Sequence, residues 1–96
     1  MSRQRLNDQD IHAALQELDG WTVDDGRLHR AFEFSDFVAA FGFMTRVALL
    51  AQAMDHHPDW TNVYNRVSIH LHTHDSGGIT GRDTELARLI DGEASS

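Results

Sequence analysis

The chain of 96 residues has no cysteine, so a disulfide framework, a thiolate–metal centre and a thiol nucleophile are all excluded. Proline occurs once, at Pro58. Positive charge is scarce: eight Lys+Arg stand against fifteen Asp+Glu, for a formal net charge of −7. A phosphate-backbone partner calls for a basic stripe, and none is present, so nucleic acid is not an expected ligand. The basic residues are scattered, which also leaves no patch for a membrane surface. No signal peptide or membrane span is read, because Met1-Ser2-Arg3-Gln4-Arg5 runs straight into polar sequence. The expectation is a soluble cytoplasmic protein. Repeats are absent, and low complexity is confined to the tail Glu93-Ala94-Ser95-Ser96.

What is present suits one globular domain over residues 1–96, with ordinary hydrophobic and charged fractions. So short a chain buries a modest share of its surface, and self-association would add to its stability. A first helix is predicted over Asp8–Leu18, with Asn7 as N-cap, Ile11, Leu15 and Leu18 on one face, and Gly20 as the stop. Asp24-Asp25-Gly26 reads as the turn of a hairpin between Trp21–Val23 and Leu28–Phe34. Ser35 is the expected cap of a long second helix, Asp36 to Met54. Arg46 is the only charge between Phe37 and Met54. Phe37, Phe41, Met44 and Ala48 are assigned to the sheet. Phe43, Val47, Leu50 and Ala51 are left for a second surface, which points to an oligomer joined through this helix. Pro58 ends the segment. Asn62–Thr73 alternates as one strand, with Val63, Val67, Ile69 and Leu71 inward and Asn65 interrupting the row. A further short strand near either loop is left open. Ser76-Gly77-Gly78 is a turn or loop. Thr80 caps a last helix through Ile90, Asp83 holds the capping-box position and Gly92 closes it. Elements in this order favour an α+β fold with an antiparallel sheet and helices on one face.

The chemistry concentrates in histidine, whose unperturbed pKa lets it give and take protons near neutrality. Asp55-His56-His57-Pro58-Asp59-Trp60 follows the apolar helix, and Leu71-His72-Thr73-His74-Asp75 follows the strand. Adjacent helical positions diverge by about 100°, but at a helix end before proline both can face one pocket. One of the pair could instead serve the carbonyl end of the helix. Trp60 suits either the core or stacking on an aromatic ligand. His70, His72 and His74 share strand parity and, with His56 or His57, form a rival candidate for zinc or another divalent ion. His12 and His29 read as ordinary surface residues. Asp83 has two available tasks: capping its helix, or orienting a histidine or an amino-pyrimidine edge.

These residues resemble the pterin-4a-carbinolamine dehydratase family. The likeness runs through Ala40-Phe41-Gly42-Phe43-Met44-Thr45-Arg46-Val47-Ala48-Leu49, then Asp55–Trp60 and Asn62-Val63-Tyr64-Asn65, and on through Thr73-His74-Asp75 to Arg82-Asp83. The family's spacing is His-His-Pro, an aromatic six residues after the proline, a histidine ten beyond and an Asp nine further on; Pro58, Tyr64, His74 and Asp83 meet it. Trp21 after a glycine resembles the family's early strand. The resemblance implies a four-stranded antiparallel sheet with about three helices on one face. It also implies dimers through a sheet edge, tetramers through helix Phe37–Met54, and a site without metal. Of the strand histidines it assigns chemistry to His74 alone. One departure is visible: Gln52 stands where the family usually has an acid, one turn before His56. Gln52 can hydrogen-bond a ligand or His56, but it supplies no charge, and a shifted pH optimum is expected.

The implied reaction dehydrates a 4a-hydroxytetrahydropterin, the product of a pterin-dependent aromatic amino acid hydroxylase, to the quinonoid dihydropterin. His56 and His74 are the expected acid/base pair and His57 the residue that positions the pterin. Gln52, Asp55, Pro58 and Trp60 on one side, with Thr73, Asp75, Ser76 and Asp83 on the other, are the expected substrate contacts. No metal or organic cofactor is called for. Animal relatives of the family also act as dimerisation cofactors that bind a transcription factor's helical segment, so a helix-binding coactivator module is the alternative function. A zinc-binding domain on His70, His72 and His74 ranks third.

Overall fold

The structure is a computed structural model, and it describes residues 4–95. Its elements are α1 (Asp8–Leu15), β1 (Thr22–Asp24), β2 (Arg27–Glu33), α2 (Phe37–Met54), β3 (Asp59–Val63), β4 (Arg66–Leu71), a single 3-10 turn at His74–Ser76, and α3 (Gly81–Ala94). The four strands form one antiparallel sheet in the order β1-β2-β4-β3. The α+β fold class stands. Leu28 and Phe32 of β2 and Val67, Ile69 and Leu71 of β4 turn toward the helices and are buried. Helices α2 and α3 pack on each other and on these central strands. The alternate residues, among them Arg27, His29, Ser68 and His70, form the outer face of the sheet.

Local chemistry sets most boundaries. Asn7 accepts the Asp10 N–H at 2.8 Å and caps α1 as expected, though the helix closes at Leu15, and Gln16–Leu18 continue as shorter turns. Asp25 and Gly26 both adopt positive φ (52° and 74°), the two-residue turn that the right-handed twist of a hairpin favours. Thr80 and Asp83 form the expected capping box. Gly92 does not end α3, which runs on to Ala94. The cap of α2 is Asp36 rather than Ser35: its Oδ1 accepts the Ala39 N–H at 2.8 Å, the three-residue reach that a cap requires.

Two larger readings are corrected. The span expected as one strand is a hairpin, with Val63 opposite Arg66 and Tyr64-Asn65 as its turn. Asn65 interrupts the apolar row because it turns the chain; its amide donates to the Phe34 carbonyl at 2.9 Å. Val63 is consequently exposed on the outer face and is not core. The second correction concerns α2. Its core stripe is Ala40, Phe43, Val47 and Ala51, while Phe37, Phe41 and Ala48 face outward. Both stripes have helical spacing, so periodicity could not separate them. Phe43 wins the interior by packing between Phe32 and Phe34, with centroids 4.9 and 4.8 Å away, and the small Ala40 and Ala51 allow close approach. The outward stripe leaves Val38 76%, Leu49 69% and Phe41 56% exposed. By length and composition alone α2 could cross a membrane, but its inner stripe is committed to the protein core.

Candidate active site

Helix α2 ends in a Schellman motif. The His56 N–H reaches the Ala51 carbonyl at 3.0 Å and the Asp55 N–H reaches Gln52 at 3.2 Å, with Asp55 in the left-handed region at φ 52°. This reversal sends the His56 ring inward and leaves His57 exposed. Two of the carbonyls that the helix end frees, those of Met54 and Asp55, accept from the Arg82 guanidinium at 2.8 Å each. Arg82 was not singled out from the sequence as a site residue. The available signal was a cation in the first turn of α3, where it opposes the helix dipole and so needs another task.

Asp83 performs both tasks left open for it. It is fully buried, and its carboxylate accepts from His56 Nε2 at 2.5 Å, the Thr73 hydroxyl at 2.9 Å and the Thr80 N–H at 2.9 Å. A buried carboxylate is tolerable when its lone pairs are filled in this way. It joins α3, the strand exit and the end of α2 beneath one surface. Above that surface lies an open cleft of about 340 Å³ lined by Asp55, His56, His57, His72, Thr73, His74, Asp75 and Arg82. Such a volume suits a small bicyclic ligand. A hollow of equal volume at the far end of the sheet, lined by Ala31, Phe32, Glu33, Thr61, Val63, Arg66, Val67 and Ser68, gathers no histidine. The histidines gather at the first.

The three expected catalytic histidines, His56, His57 and His74, all border the cleft, as do Asp55, Thr73 and Asp75. Asp83 lies directly beneath it. Gln52 is outside the lining and hydrogen-bonds His57 Nε2 at 2.9 Å rather than His56. Pro58, Trp60 and Ser76 are also outside it. Trp60 pairs in register with Ile69, on the helix-facing side of β3, and packs against the core. His72, set aside on the sequence, borders the cleft, with its ring 6.3 Å from that of His74.

The supposed array of His70, His72 and His74 does not hold together. Strand β4 ends at Leu71 and His74 starts a 3-10 turn, so strand parity no longer applies. His70 instead stacks on His29 across the β2–β4 ladder, centroids 4.3 Å apart, and hydrogen-bonds Asp24 at 2.9 Å. His29 is therefore half-buried rather than an ordinary surface residue. Burial holds its imidazole below the usual pKa, while the hydrogen bond from His70 holds the Asp24 carboxyl below its usual value.

The architecture is an antiparallel α+β sheet carrying a histidine cleft over a buried carboxylate, the frame of a small enzyme. The family model described as pterin 4 alpha carbinolamine dehydratase matches residues 4–92, and the chain belongs to that family of hydro-lyases. A relative from Solibacter usitatus that carries the family's name is 55% identical over 87 residues, covering 91% of this chain and 92% of its own. Another, from Rhodopseudomonas palustris, is 57% identical over 88 residues, covering 90% and 87%. Among solved structures, a transcriptional coactivator/pterin dehydratase from Brucella melitensis superposes with a TM-score of 0.92 at 46% identity, over 95% of this chain and 99% of that one.

Proposed function

We propose that the chain dehydrates 4a-hydroxytetrahydropterin to the quinonoid dihydropterin by histidine acid/base catalysis. The observation that carries this reading is the convergence of His56, His57 and His74 on one cleft above Asp83. The C4a–O bond breaks as an acid protonates the hydroxyl, which leaves as water. A base takes the N5 proton, and the N5–H electron pair becomes the C4a–N5 double bond. His56 and His74 are the acid/base pair. With His56 Nε2 committed to Asp83, its Nδ1 is the ring nitrogen available to exchange a proton. His57, exposed and steadied by Gln52, positions the pterin. Each proton transfer contributes roughly 10²–10⁴-fold. Tetrahydrobiopterin recycling beside an aromatic amino acid hydroxylase, in the cytoplasm, is the setting that goes with this activity.

The test is dehydration of enzymatically generated 4a-hydroxytetrahydropterin, followed by product absorbance, with chelator present and with a His74→Ala control. The expected result is acceleration that survives chelator and collapses in the variant. No acceleration over the spontaneous reaction would overturn the proposal.

A second reading rests on the outward stripe of α2, where Phe37, Val38, Phe41 and Leu49 are exposed. Copies of the chain associate through this face and a sheet edge into dimers or tetramers, or the face takes a partner helix as a coactivator module. Phe41→Asp should convert an oligomer to smaller species in sedimentation velocity. An unchanged sedimentation coefficient would count against association through this face.

A further inference from the structure

The outer face of the sheet carries a cluster that the dehydratase reading leaves unused. Asp24 of β1, His29 of β2 and His70 of β4 each offer one ligand atom, and these atoms lie within 4.8 Å of one another. Thr22, His29, His70 and Asp59 stand in one cross-strand row, so both imidazoles project from the same side of the sheet. Arg27, whose charge acts on both Asp24 and His29, is already paired with Asp59 at 2.8 Å. His29 Nε2 is hydrogen-bonded to Ser68 Oγ at 2.9 Å, which fixes the ring and leaves Nδ1 as its ligand atom.

The geometry points to a surface site for a late first-row divalent ion of the Zn²⁺, Ni²⁺ or Cu²⁺ class, held by Asp24, His29 and His70. Two imidazoles and a carboxylate suit these ions and do not suit Mg²⁺, which prefers an all-oxygen shell. Donors about 2.0–2.1 Å from a tetrahedral ion lie roughly 3.3 Å apart. Asp24 Oδ2 and His70 Nε2, at 2.9 Å, already approach that separation, and side-chain rotation closes the rest. Solvent completes the coordination on this open face. An ion here ties β1, β2 and β4 together, so it binds the folded chain in preference to the unfolded one and raises the melting temperature in proportion to its occupancy.

Calorimetric titration of the full chain with ZnCl₂, NiCl₂ and MgCl₂ tests this, alongside Asp24→Asn, His29→Gln, His70→Gln and, for the cleft, His74→Ala. The expected result is one Zn²⁺ or Ni²⁺ per chain at this site, retained in His74→Ala. Each sheet variant should weaken it by more than the roughly 10–100-fold that loss of an outer-shell partner costs. A zinc-dependent rise in melting temperature should appear in the wild type and disappear in the sheet variants. Asp24 is exposed, so Asp24→Asn removes a ligand without disturbing packing and keeps the test decisive if a histidine variant fails to fold. Binding that survives all three sheet substitutions, binding lost in His74→Ala instead, an equal response to MgCl₂, or no binding at all would overturn the proposal.

Discussion

The two histidine clusters of this protein are held by different means. In the cleft, His56 is anchored to a carboxylate that is fully buried and filled by three donors from three segments of the chain. On the sheet, His70 leans on Asp24, whose side chain is 60% exposed, and the rings of His29 and His70 meet because β2 and β4 are in register. A buried, saturated carboxylate fixes both the tautomer and the position of its imidazole, which is what directed proton transfer requires. An exposed carboxylate beside stacked rings leaves ligand atoms accessible, which is what an ion from solution requires. The same residue type is thus held in two different environments according to what supports it.

Substitutions can break this contrast or sharpen it. The largest effect is expected from His56→Ala or His74→Ala, each lowering dehydratase kcat/KM by roughly 10²–10⁴. Loss confined to one of them, in steady-state kinetics, would show that only one proton is moved by the protein. Asp83→Ala should cost about 3–5 kcal/mol in urea unfolding, since it strands the partners of a buried carboxylate. A cost near that of a surface substitution would mean that the two clusters differ less than their burial implies. His57→Ala should raise KM more than His74→Ala does, with the smaller share of its effect in kcat; equal effects on KM would remove its positioning role. Gln52→Glu should change activity at neutral pH by only a few-fold, because an exposed ion pair with His57 is worth about 0–1 kcal/mol. A much larger gain in the pH–rate profile would show that the missing acid had limited the enzyme.

The legible parts of the sequence were those governed by neighbours along the chain. Asn7, Thr80 with Asp83, and Asp25-Gly26 each satisfy or reverse the backbone within a few residues, and they were read correctly. The inward parity of Val67, Ile69 and Leu71 also needs only alternation. A fourth strand is implied but its place, β3, is not legible, because Asp59–Val63 is short and half polar, and its turn begins at Tyr64, a bulky residue held at φ 51° where Gly or Asn is the usual signal. The inner face of α2 was misassigned because two apolar stripes of equal spacing compete. The packing of Phe43 against Phe32 and Phe34 decides between them, and no local pattern encodes it.

The site divides along the same line. The sequence alone determined that histidines would crowd near the end of α2 and the exit of β4, and that Asp83 would cap α3, because these are matters of spacing and of hydrogen bonds between near neighbours. The family resemblance already groups His56, His57 and His74 with Asp83, but only the tertiary structure shows the contacts that join them and adds His72 and Arg82 to the cleft. His56 meets Asp83 across 27 residues, Arg82 caps the carbonyl of Met54 28 residues away, and His70 meets Asp24 across 46, leaving His72 and His74 at the cleft. Such contacts exist only after the core has brought α2, α3 and the sheet together, since burial of apolar surface, and not local preference, supplies the free energy that closes those loops.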